Sequence, residues 1–71
     1  MSAAKELVAE AFELRCEEIP DDASIENFEA WDSLGHMRIV AAIEARLGRA
    51  LETEEVLAAV DLAAIGRLIG Q

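Results

Sequence analysis

Trp31-Asp32-Ser33-Leu34-Gly35-His36-Met37-Arg38-Ile39-Val40-Ala41-Ala42-Ile43-Glu44-Ala45-Arg46-Leu47-Gly48 is the stretch whose reading decides the fold. Asp32 is a good N-cap and Gly48 a good C-terminal stop, so the segment predicts a helix from Ser33 to about Leu47. Trp31 then falls at N′ and His36 at N4, the two positions of a hydrophobic staple. At 100° per residue the apolar side chains separate into two groups. Ile39, Val40, Ile43 and Leu47 cluster with His36 and predict the core side. Leu34, Met37 and Ala41 lie on almost the opposite side, beside Arg38, and predict an outward face.

Ser33 stands at the start of this helix, where N–H groups without helical acceptors and the positive end of the macrodipole favour an anion. A phosphodiester on its hydroxyl would lie in a favourable field, which marks Ser33 as a candidate modification site. The adjoining Leu34 and Met37 suit contact with changing partners, since methionine adapts to irregular surfaces.

Working outward, Ser2 can cap a first helix from about Ala3 to Arg15, with Leu7, Val8, Ala11, Phe12 and Leu14 on one broad face. Ile19-Pro20-Asp21-Asp22 is expected to end it. Residues 17–32 form a loop too long for a simple connection, with Ile25 and Phe28 as its expected anchors and Ser24 capping a brief helical turn. Beyond Gly48 the chain re-enters the core at Leu51. Thr53 is expected to cap a short third helix through Val56, Leu57 and Ala59, and Asp61 a fourth from Leu62 to Ile69 closed by Gly70. Gly66 weakens that last helix by about 1 kcal/mol relative to alanine. Ala58, Ala59, Ala63 and Ala64 permit close approach while filling little volume, which predicts an interior loose enough for a flexible guest. The fold class is therefore all-α, a small four-helix bundle with three main helices, one short helix and a long loop between the first two.

Seventy-one residues make one domain, 1–71, with a thin core. Cys16 has no partner for an internal disulfide, and with a single His36 no Cys/His zinc set exists. Apolar runs are short, so neither membrane insertion nor a signal peptide is expected, and a cytoplasmic monomer is the default. Six basic against fifteen acidic residues give a formal charge of -9, which argues against nucleic acid. Seven of the acids fall between Glu17 and Asp32, where there is no Lys or Arg. Such a field steers the chain toward basic surfaces.

Two other classes of function remain, a catalyst and an unmodified binding module. Ser33 and His36 lack a nucleophile elbow, a sheet and an oxyanion hole, and Cys16 lacks a histidine partner, so catalysis by the chain itself is not expected. An unmodified acidic helical adaptor for one protein partner is the alternative reading.

With these residues in place, the chain resembles an acyl carrier protein, a free-standing member of the phosphopantetheine-bearing family. The resemblance covers the acidic loop ending in Ser24-Ile25, the step from Ser24 to Ser33, and Trp31-Asp32-Ser33-Leu34-Gly35-His36-Met37. It continues through Ile43-Glu44-Ala45-Arg46-Leu47-Gly48, the short helix near Thr53 to Ala59, and Val60-Asp61-Leu62. It implies that Ser33 receives 4′-phosphopantetheine from coenzyme A by a magnesium-dependent phosphopantetheinyl transferase. The arm would hold acyl or related intermediates as thioesters for acyl-loading, condensing or transferring enzymes. Tethering raises the effective concentration of such cargo at a docked enzyme. The resemblance also implies a docking face with Leu34 and Met37 at its apolar centre, Ala41 and Arg38 beside them, and Glu44, Glu29 and Asp32 on its charged rim. Gly35 and Arg38 stand where strongly acidic carriers have acids, and Arg46 adds another base. This mixed charge implies partners from a specialised pathway rather than primary fatty-acid synthesis. The short approaches of Met1 and Gln71 to the outer helices are the ground for expecting a free-standing chain.

Overall fold

A computed structural model describes residues 2–70; Met1 and Gln71, on which the expectation of a free-standing chain rests, lie outside it. Among the described residues four α-helices follow in order: α1 (Ala3–Phe12), α2 (Ser33–Leu47), α3 (Thr53–Ala58) and α4 (Leu62–Leu68), with a 3₁₀ turn at Cys16–Glu18. The described residues contain no strand; one antiparallel bridge joins Ser24 to Asp61. The predicted all-α bundle of three main helices and a short one is what forms.

Helix α2 begins and ends where its sequence predicts. The Asp32 carboxylate accepts from the Gly35 N–H at 2.8 Å, and Gly48 closes the helix in the left-handed region at φ 73°. Its two faces also separate as predicted. Ile39, Val40 and Ile43 are buried, while Leu34 and Met37 are 65% and 57% exposed. Ile39 and Ile43 join Leu7, Val8, Phe12, Ile19, Trp31 and Ile65 in a single core, to which α1 contributes most of one wall.

The first helix is shorter than predicted. It stops at Phe12 rather than Arg15, before Pro20 can act. Glu13 takes a left-handed conformation (φ 59°, ψ 40°), its N–H donates to the Glu10 carbonyl at 3.2 Å, and that of Leu14 reaches back to Ala9 at 2.9 Å. This is a Schellman closure without its usual glycine, with Leu14 packing back on the core. A glutamate in this conformation costs about 1 kcal/mol, which is why no local signal announces the stop.

Loop anchoring also differs from expectation. Ile25 is 36% exposed and Phe28 only partly buried; the fully buried anchors are Ile19, Ala23 and Trp31. Ile25 contributes through its backbone instead, its N–H donating to the Val60 carbonyl at 2.9 Å. Ser24 does organise a brief turn, its hydroxyl accepting from Glu26 and its carbonyl from Asn27 and Phe28. Lys5 ties the loop to α1 through Asp21 at 2.6 Å, and the ammonium holds that carboxyl below its ordinary range.

At α3 the cap is Glu52, not Thr53, which is the first helical residue. The Glu55 carboxylate accepts from the Glu52 N–H at 2.8 Å and takes a two-pronged pair of bonds from Arg49, both at 3.0 Å. Leu57 points outward, 71% exposed. Of the four alanines expected to line a loose interior, Ala59 and Ala64 are buried and Ala58 and Ala63 face solvent. Asp61 caps α4 as predicted, accepting from Ala64 at 2.8 Å, and α4 ends one residue early with Ile69 as its cap.

Candidate functional site

Ser33 is the first residue of α2 and is exposed. The segment before it is held from below by aromatic packing. Phe12 meets Phe28 with ring centroids 6.0 Å apart and meets Trp31 nearly edge-on at 6.3 Å. The Trp31 indole N–H donates to His36 Nδ1 at 3.1 Å, so the expected staple between N′ and N4 forms with a hydrogen bond inside it. Indole nitrogen can only donate, so Nδ1 must accept and the imidazole proton sits on Nε2. That proton points at the Val56 carbonyl, 2.8 Å away on α3. His36 thus bonds the preceding loop through Trp31 and α3 through Val56.

Gly35 is the residue whose role sequence reasoning missed. It is buried, and a Cβ there would overlap the Ala30 carbonyl oxygen and press on the Phe12 ring at 3.0 Å. Only a bare backbone lets the loop lie so close against the first turn of α2. An acidic side chain at this position would not fit, so its absence follows from packing as well as from charge. A glycine in the first turn of an otherwise well-formed helix was the available signal.

The helix start is electrostatically suited to an anion. No acidic residue lies within the first turn of α2, and the neighbouring Asp32 carboxylate is engaged by Gly35. The exposed hydroxyl, the amides of a helix N-terminus and the flanking apolar Leu34 fit a phosphodiester-linked group on Ser33.

The residues expected to form a docking face are only partly brought together. Leu34, Met37, Arg38 and Ala41 are all exposed and follow the i, i+3, i+4, i+7 spacing of one helix face. Asp32, Leu34 and Arg38 line a small cleft with Phe12, Ala30 and Gly35. Glu29 is exposed in the preceding loop. Glu44 is different: it is half-buried, and its carboxylate accepts from the Leu51 N–H at 2.9 Å.

The lysine and arginines of the chain fall into two groups, three in ion pairs and three, Arg38, Arg46 and Arg67, without one among the described residues. Lys5, Arg15 and Arg49 are paired with Asp21, Glu18 and Glu55. Arg46 shares a groove with Glu6 and Glu10, and Arg67 a cleft with Glu54 and Glu55. Arg38 makes no ion pair among the described residues, and the one carboxylate lining its cleft belongs to Asp32.

No described helix is long and apolar enough to cross a membrane, and no cluster of three or more His, Cys, Asp or Glu among the described residues could hold a metal ion. No curated protein matches the chain. The sequence model described as the phosphopantetheine attachment site matches residues 2–69, nearly the whole length. Domains of this kind carry 4′-phosphopantetheine covalently, are modified by phosphopantetheinyl transferases, and are generally non-catalytic carriers that interact with enzymes. An all-α bundle with an exposed serine at the head of its second helix and a match over residues 2–69 lead to one conclusion: the chain belongs to the phosphopantetheine attachment site family.

Proposed function

We propose that Ser33 is the attachment residue and that the protein carries acyl or related groups between partner enzymes. The observation that supports this best is the placement of Ser33: an exposed hydroxyl at the head of α2, on a backbone held rigid by the Asp32 cap and the Trp31–His36 bond. When bound, the prosthetic group supplies a flexible arm whose terminal thiol holds a carboxylic acid as a thioester. The chain's own residues hold and present it. Ser33 Oγ replaces the nucleotide portion of coenzyme A on phosphorus and loses its proton to solvent. The helix start then stabilises the remaining phosphodiester charge.

Leu34, Met37 and Ala41 offer apolar contact to a docking enzyme, with Asp32, Glu29 and Arg38 around them and Glu44 farther along the helix. Arg38 favours a partner that brings a carboxylate to that point and disfavours a uniformly basic patch, which supports dedicated enzymes of a specialised pathway. The protein acts in this reading as a cytoplasmic monomer.

Incubating the protein with coenzyme A, magnesium and a broad-specificity transferase tests the assignment by intact mass. Wild type should gain one phosphopantetheine and Ser33→Ala none, with thermal stability of the variant within about 0.5 kcal/mol of wild type. A modified alanine variant would move the site elsewhere. A wild type left unmodified by several transferases would favour the unmodified adaptor.

A further inference from the structure

Helix α3 is held in an unusual way. None of its six residues is buried, and the first fully buried position, Ala59, comes only after the helix has ended. Hydrophobic packing therefore contributes little to keeping it in place. Two polar side chains of α2 do so instead, each through α3-side backbone. His36 Nε2 donates to the Val56 carbonyl at 2.8 Å, and the Glu44 carboxylate accepts from the Leu51 N–H at 2.9 Å. Eight residues separate the two, a rise of about 12 Å along α2, so one holds the segment entering α3, just before its cap, and the other holds the last turn of α3.

The partner atoms are the ones left open by α3 itself. Ala59 donates to Glu55 in the helical manner, but the next amide, Val60, turns away to Ala58 at 2.8 Å. Val56 is thereby left without a helical donor, and His36 supplies one. Leu51 lies just before the Glu52 cap, where its N–H has no helical carbonyl to meet. Each bond satisfies a backbone group that would otherwise need solvent.

We propose that His36 and Glu44 are positioning residues forming a two-point polar clamp, and that α3 opens as a unit from α2 when these bonds break while α1, α2 and α4 stay folded. Lifting α3 would widen the cleft it shares with α4, lined by Ala58, Ala64 and Leu68. The clamp also gives Glu44 a role in the fold, so altered docking in a Glu44 variant has to be read through the position of α3. This inference is independent of whether Ser33 is modified.

Amide hydrogen exchange on the unmodified protein tests it, comparing Val56 and Ala59 in or beside α3 with Ile43 in α2. In wild type, Val56 and Ala59 should exchange through an opening that leaves Ile43 protected. His36→Asn keeps an acceptor for Trp31 but is too short for Val56, and Glu44→Ala removes the acceptor for Leu51. Each should speed exchange at Val56 and Ala59 about tenfold without affecting Ile43. His36→Gln can reach Val56 with its amide N–H, and Glu44→Gln retains an acceptor oxygen, so both should stay close to wild type.

Equal acceleration at Ile43, glutamine variants as fast as the clamp-breaking ones, or no acceleration at all would overturn the clamp. Should His36→Asn fail to fold, the Glu44 pair reads the same device from its other end.

Discussion

Trp31 and His36 meet at the head of α2, ring planes within 22° and centroids 6.4 Å apart, joined by an N–H···N bond of 3.1 Å. The bond selects the imidazole tautomer, and the tautomer in turn makes His36 a donor toward α3. Trp31 is 1% exposed, so the indole is at once a core residue and a polar connector. Trp31→Phe keeps much of the packing but leaves Nδ1 without its donor. It should cost about 1–3 kcal/mol in denaturant unfolding. A ¹⁵N spectrum should also show His36 no longer confined to the Nε2–H tautomer. An unchanged tautomer population would mean that Val56 alone sets it.

Gly35→Ala tests the close approach of the loop to α2. The methyl would meet the Ala30 carbonyl and the Phe12 ring, and backbone cannot give way as a flexible side chain can. Helix propensity alone favours alanine by about 1 kcal/mol. Overlap should outweigh it, leaving a net loss of about 1–3 kcal/mol. A variant more stable than wild type would show that the loop moves aside freely.

Ile43→Ala and Met37→Ala separate the two faces of α2. Ile43 is fully buried and its truncation should cost about 2–5 kcal/mol, a large share of the stability of so small a domain. Met37 is 57% exposed, and its truncation should cost far less while weakening enzyme docking. Thermal melts giving the opposite order would contradict this rotation of the helix.

Arg49 and Glu55 predict an acid-dependent contribution. The guanidinium bonds from Arg49, and then the N–H of Glu52, hold the Glu55 carboxyl down from 4.5 to about 2. A depressed folded-state value favours folding above the unfolded value, and that contribution is lost as pH falls from about 4.5 through about 2. Solvent reaches the pair, so the effect is modest. The stability difference between wild type and Glu55→Gln should be constant above pH 5 and shrink steadily across this acid range. A difference independent of pH would remove the ion pair from the stability of α3.

Sequence periodicity and caps alone determined the limits and rotation of α2, because Asp32 and Gly48 act on adjacent backbone and Ile39 and Ile43 repeat at helical spacing. The exposed position of Ser33 at the helix head and the Asp61 cap of α4 were legible for the same reason. Tertiary structure decided what depends on atoms distant in the chain. It ended α1 at Phe12 by forcing Glu13 into a left-handed conformation that no glycine advertised, and it placed Ala23 rather than Ile25 in the core. It also assigned Glu44 to the Leu51 amide and His36 to the Val56 carbonyl. A helix cap or a periodic face is a relation among neighbours within a few residues. A buried anchor or a cross-helix hydrogen bond exists only once the remaining helices have brought the partner within reach and excluded the water that would otherwise take its place.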